Sequence, residues 1–180
     1  MNVLIVVGTR PEIIKLAPVI LELKKKPRRF RVRLLATAQH RGMLDQMLDV
    51  FALRPDIDLN LMRPGQSLDG LTARLAMNVG RVVREERPDL VIVQGDTTTA
   101  MVSGLTAFHQ RIAVAHVEAG LRTGVPGDPF PEEMNRKVVS ALASWHFAPT
   151  RRAAQNLKNE GVPPSRIAVT GNTVIDALAM

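Results

Sequence analysis

Cysteine is absent from all 180 residues, which removes both a disulfide framework and any thiolate metal site and leaves a reducing, cytoplasmic setting as the compatible expectation. Aromatic residues make up only 3% of the chain, too few for the stacking platforms that bind nucleic acid. The basic residues are scattered (Arg63, Arg74, Arg81, Arg84, Arg111, Arg166) apart from the run KKKPRR at 24–29, so nucleic acid is not an expected partner. The apolar run in MNVLIVVGTRPE is too short to span a bilayer and has no basic stretch before it, so a membrane is not expected either. No GxGxxG follows that run, and GxxxxGK[ST] and HExxH occur nowhere. The ordinary dinucleotide and P-loop readings therefore lose their main support, and neither a cofactor nor a metal is expected.

What is present suits one full hydrophobic core, since about 100–200 residues is the usual size of one domain. The balance of 24 Lys+Arg against 17 Asp+Glu gives a net charge of +7, and the excess is mostly arginine, which suits anionic partners such as phosphates. KKKPRR reads as the solvated end of a helix, where cations complement the dipole.

Short apolar runs alternate with helical patterns. Strands are expected at 2–7 (NVLIVV), 30–37, 56–61, 89–94 (DLVIVQ), 112–118 (IAVAHVE), 145–149 and 166–171. Helices are expected at 13–26, 42–53, 67–87, 97–110, 132–144 and 151–161, the third with Leu68, Leu71, Leu75, Val79 and Val82 on one face. AGLRTGVPGDPFPEE at 119–133 is rich in glycine and proline and reads as a loop. A last helix begins in NTVIDALAM, and its apolar Val174, Ile175 and Leu178 await a partner, so the chain reads as one half of something longer. The pattern implies an α/β fold with a Rossmann-like, doubly wound, mostly parallel sheet.

Several charged residues fall at the carboxyl ends of these strands, where open α/β sheets place their ligands. After the first strand, Gly8 allows a tight turn, Arg10 offers a planar fork for a phosphate, Pro11 fits a helix start, and Lys15 follows on that helix. Asp96 ends the fourth strand, with Thr97, Thr98 or Thr99 able to cap the next helix, although Asp96 itself is also a good cap. Glu118 ends the fifth strand, where burial would require a partner such as Arg122. Glu132 and Glu133 follow Pro131 in a helical first turn, and Arg136 lies four residues after Glu132, the spacing of an ion pair. His116 and His146 read as hydrogen-bonded core residues and His109 as a helix end, leaving His40 as the ligand candidate.

Taken together, GTRPEIIKLAP, TAQHRGMLDQ, QGDTTT, HVEAGLRTG, PFPEEMNR and TGNTVIDAL resemble the N-terminal half of the non-hydrolysing UDP-N-acetylglucosamine 2-epimerases. The resemblance covers nearly the whole chain in the family's order. It implies the N-terminal domain of a two-domain GT-B fold (1–170), with the start of an interdomain connection at 171–180. It further implies the interconversion of UDP-GlcNAc and UDP-ManNAc through elimination and re-addition of UDP. Carried over by motif, Asp96, Glu118 and Glu132 match the catalytic acids and bases, Arg10, Lys15 and Arg136 the site cations, and Gln39 and His40 an allosteric site. Gly42 and Gly65 stand where some members carry a long polar residue and an arginine, a departure that bears on allosteric control. The implied partners are the nucleotide sugar, a C-terminal domain of the same enzyme and a second copy in a homodimer. The isolated chain is expected to be inactive. A GT-B glycosyltransferase, a hydrolysing epimerase and a non-catalytic nucleotide-sugar-binding domain remain open as alternatives.

Overall fold

Strands and helices alternate from end to end in the computed structural model, which describes residues 1–37, 41–61 and 63–180. The elements are β1 (Asn2–Val7), α1 (Arg10–Lys24), β2 (Arg31–Ala36), α2 (Arg41–Val50), β3 (Ile57–Asp58), α3 (Leu68–Glu86), β4 (Leu90–Gln94) and α4 (Thr98–His109), followed by β5 (Ala113–Val117), α5 (Glu132–Leu142), β6 (Trp145–Ala148), α6 (Arg151–Asn159), β7 (Ile167–Val169) and α7 (Val174–Leu178). All strand pairs are parallel, in the order β3-β2-β1-β4-β5-β6-β7.

The burial explains the sequence pattern. Val3 to Val7 are all buried because β1 lies mid-sheet with helices on both faces, so alternate side chains enter opposite cores. Leu4, Val6, Val91, Val93 and Val114 join the α3, α4 and α5 side, whereas Val3, Ile5, Val7, Ile92, Ala115 and Val117 join the α1 and α2 side. Right-handed crossovers dictate this division: the chain winds toward β3 through α1 and α2, then toward β7 through α3 to α6 on the other face.

Helix starts are set by local chemistry. Ser67 accepts from the Gly70 amide at 3.1 Å, Thr97 from Ala100 at 3.0 Å and Thr150 from Ala153 at 3.1 Å. The strand expected over 56–61 shortens to Ile57–Asp58, because Asn60 turns to φ 46° and its amide bonds the Asp58 carboxylate. The terminal helix does find a neighbour in α1, yet Ile175 and Leu178 stay exposed. No helix among the described residues is long and apolar enough to cross a membrane.

Candidate functional site at the strand-order reversal

Strand order reverses between β1 and β4, so the loops that follow them lead to opposite faces and leave a crevice at the carboxyl edge. A pocket of about 530 Å3 opens there, and its lining includes Arg10, Lys15, Asp96, Glu118 and Glu132. Arg136 stands behind it, joined to Asp96. The fold thus brings together the six residues that the motifs match to catalytic acids and bases and to site cations.

Asp96 reaches this edge because Gly95, at φ 71°, turns the chain out of β4. It does not cap α4, since Thr97 does. Instead α5 grips it twice: Asn135 Nδ2 donates to the Asp96 carbonyl at 2.9 Å, and the Arg136 guanidinium pairs with the carboxylate. The ion pair expected between Arg136 and Glu132 is replaced by one with Glu133, 3.4 Å away, the neighbour at i,i+3. Glu133 is fully buried and accepts from the Thr123 and Gly124 amides at 3.1 and 3.2 Å. Burial pushes its pKa up, but those hydrogen bonds, the Thr123 hydroxyl and Arg136 outweigh it and hold the carboxyl below the usual range. Glu132 is thereby left facing the pocket with no ion-pair or hydrogen-bond partner among the described residues.

Glu118 sits at φ 63°, a left-handed conformation that costs a non-glycine residue on the order of 1–3 kcal/mol and tends to cluster at functional sites. Its carboxylate takes Lys15 Nζ at 2.5 Å, the Gln94 amide, and Asn172 Nδ2 at 3.1 Å. Arg122, the partner expected from the sequence, goes elsewhere. Gly120 at φ 89° swings the chain toward α6, where Arg122 forks onto Glu160 at 2.7 and 2.6 Å. Glycine at this point therefore fixes the path of the loop.

Arg10 is exposed at the pocket and has no partner among the described residues. Lys15 and Arg136 are both charge-compensated, so Arg10 and Glu132 are the uncompensated charges of the lining. His116 and His146 are buried as anticipated, their Nε2 atoms donating to the Gly95 and Ser140 carbonyls at 2.7 and 3.0 Å. Burial pushes the His116 pKa down to about 3, which keeps it neutral and out of proton transfer at this edge. Gln39 and His40 lie outside the described residues. Gly8 does not adopt a positive φ; its role is close approach, because an added Cβ would lie 2.5 Å from the Thr37 and Thr99 hydroxyls. Among the described residues no group of three or more His, Asp or Glu could hold a metal ion.

Sequence reasoning missed Glu12, Gln94, Glu133 and Asn172. Glu12 carried a signal, for Thr9-x-x-Glu12 is the spacing in which a helix-start carboxylate returns to the capping residue's amide. Gln94 and Asn172 meet Glu118 from β4 and from the turn after β7, contacts that no local spacing announces.

A family model described as UDP-N-acetylglucosamine 2-epimerase matches residues 21–180. The UDP-N-acetylglucosamine 2-epimerase of Salmonella typhimurium is 53% identical over 178 residues, which is 99% of this chain and 47% of that protein. The crystal structure of UDP-GlcNAc 2-epimerase from Neisseria meningitidis bound to UDP-GlcNAc is 51% identical, with a TM-score of 0.95 over 99% of this chain and 49% of that one. A co-structure of an S. aureus relative with UDP is 43% identical, with a TM-score of 0.95 over 99% of this chain and 47% of that one. The chain spans about half the length of the relatives it matches. With the family model covering most of its residues and the pocket built from the same motifs, the chain belongs to the UDP-N-acetylglucosamine 2-epimerase family.

Proposed function

We propose that this chain forms the N-terminal half of the active site of an isomerase that interconverts UDP-GlcNAc and UDP-ManNAc in the full-length protein. The observation that carries the reading is one pocket in which Asp96, Glu118 and Glu132 meet Arg10 and Lys15. Family membership and relatives bound to UDP-GlcNAc and to UDP support it.

The chemistry explains why such a site needs several carboxylates. The C2 proton is not adjacent to a carbonyl, so it becomes removable only as the bond from C1 to the diphosphate oxygen breaks. A base takes that proton, the C–H electron pair forms the C1=C2 bond of a 2-acetamidoglucal, and UDP leaves with the electrons of the C1–O bond. Re-addition reverses these changes, with the proton delivered to the other face of C2. Base and acid therefore belong on opposite faces, and one carboxylate cannot easily serve both. Asp96 and Glu118 are assigned to the sugar, one of them as base, and Glu132 to the opposite face. Arg10 is assigned to charge developing on the diphosphate, with Lys15 and Arg136 completing the cationic edge. A homodimer, a cytoplasmic location and a C-terminal domain that completes the nucleotide grip belong to the same proposal.

Proton NMR of UDP-GlcNAc in deuterated water with the full-length protein tests it. Deuterium should enter C2 as UDP-ManNAc appears, and Glu132→Gln should abolish turnover. Wild-type turnover in that variant would remove Glu132 from the mechanism. Release of free ManNAc, or sugar transfer to an added acceptor without C2 exchange, would overturn the epimerase reading.

A further inference from the structure

Glu12 is 1% exposed and makes contact with both loops of the crevice. Its Oε2 accepts from the Gly8 amide at 2.8 Å, the Thr9 amide at 2.6 Å and the Thr9 hydroxyl at 2.9 Å. Its Oε1 accepts from the Thr97 hydroxyl at 2.6 Å, and Thr97 in turn accepts from the Ala100 amide at 3.0 Å. Gly8 and Thr9 immediately precede Arg10, and Thr97 immediately follows Asp96. No cation pairs with Glu12 among the described residues.

Amides at the start of the first helix of such a fold are the usual receptor for a phosphate. Here the Gly8 and Thr9 amides are already taken by an internal carboxylate. On this loop those two amides are closed to a diphosphate, so the loop's contribution to gripping one falls to the Arg10 side chain, and its placement matters correspondingly more. We infer that Glu12 is a positioning residue whose two carboxylate oxygens tie the Arg10 loop to the Asp96 loop, fixing the spacing between the diphosphate cation and the acid–base carboxylate. The inference rests on the proposed function and deepens it.

Reach is the property that matters. Aspartate is one methylene shorter and cannot serve both loops, whereas glutamine can accept from Gly8 and Thr9 and donate to Thr97. Burial raises the Glu12 pKa and its hydrogen bonds only partly offset this, so a neutral amide of the same length is a suitable substitute.

The test compares Glu12→Asp, Thr97→Val, their combination and Glu12→Gln in the full-length protein. Turnover is measured per folded molecule, with folding monitored by circular dichroism. Hydrogen exchange of segments 8–12 and 96–99 is followed by mass spectrometry. Each of the first two variants should lower kcat by about 10- to 100-fold with KM within about threefold, the scale expected when reacting groups lose alignment. Together they should cost no more than the worse one alone, because both cut the same tie. Glu12→Gln should recover most of the loss seen in Glu12→Asp. Exchange should quicken in both segments whichever end is cut. Multiplicative losses in the double variant, unchanged kcat per folded molecule, or faster exchange confined to the mutated loop would each overturn the inference. If the unsubstituted protein does not epimerise, the functional reading falls. Exchange in both loops then upholds the tie, and exchange in one loop overturns it.

Discussion

Arg136 holds Asp96 with one terminal nitrogen and Glu133 with the other, a task that uses the rigid fork of a guanidinium. A lysine ammonium at the same place would have to choose between them. Choosing the buried Glu133 would leave Asp96 free to drift, so Arg136→Lys should lower kcat by about 10- to 100-fold, in line with lost alignment. Wild-type kcat in that variant would mean that Asp96 needs no such hold. His116 supports a different prediction, about acid. Its ordinary pKa of 6.5 falls to about 3 in the fold, because the buried imidazole stays neutral. Above pH 6.5 neither folded nor unfolded chain is protonated there, and the stability is fully present. As pH falls from 6.5 toward 3 the unfolded chain binds a proton that the folded one refuses, so stability declines by up to about 1.4 kcal/mol per pH unit. His116→Gln retains a donor for the Gly95 carbonyl without the titration. Urea unfolding of this variant between pH 6.5 and 4 should follow a flatter profile than the parent, and parallel profiles would refute the assignment.

The chain leaving β5 comes close to the backbone of α6 at Gly120. An added Cβ at Gly120 would lie 2.2 Å from the Ala153 carbonyl oxygen, which is helix backbone and cannot rotate away. Gly124 has a similar φ of 85° but nothing within 4 Å. Gly124→Ala should therefore cost only the left-handed backbone term, about 1–2 kcal/mol. Gly120→Ala should lose more than about 4 kcal/mol, the range of disrupted cores. Equal midpoints in denaturant would show that α6 yields easily. This scale also explains what the sequence could reveal. Strands such as β1 and β4 were legible because burial on both faces leaves unbroken apolar runs, and α3 because its apolar stripe recurs at helical spacing. The strand at 56–61 misled because its alternation is interrupted by the positive φ of Asn60, which composition does not reveal. The positions of Asp96 and Glu118 at the pocket were legible because each follows an apolar strand. Their partners were not, because Lys15 meets Glu118 and Arg136 meets Asp96 only once the sheet is assembled. Glu132 and Glu133 are indistinguishable in sequence because they differ only in which side of one helical turn they occupy, one lining the pocket and the other buried.

At the level of the whole molecule the helices are unevenly shared, with α3 to α6 on one face of the sheet and α1, α2 and α7 on the other. On the less covered face an apolar cavity of about 350 Å3 remains, walled by Val19, Leu23, Ile92, Val117 and Phe147 among others. Cavities lined this way stay dry and admit apolar probes, and pockets of roughly 300–1,000 Å3 accept small organic molecules. A naphthalene sulfonate dye should therefore fluoresce on binding this 180-residue chain. Leu23 lies in the last turn of α1 and is only partly buried, so Leu23→Arg should weaken dye binding without unfolding the chain. The residues lining this cavity are separate from those of the crevice pocket, and UDP should leave the dye signal unchanged. Competition between UDP and dye would mean either that the two spaces communicate through the sheet edge or that the dye enters the crevice itself. Repeating the titration with Arg10→Ala separates the two, since loss of dye binding there would place the dye among the crevice charges and remove the apolar cavity as its site.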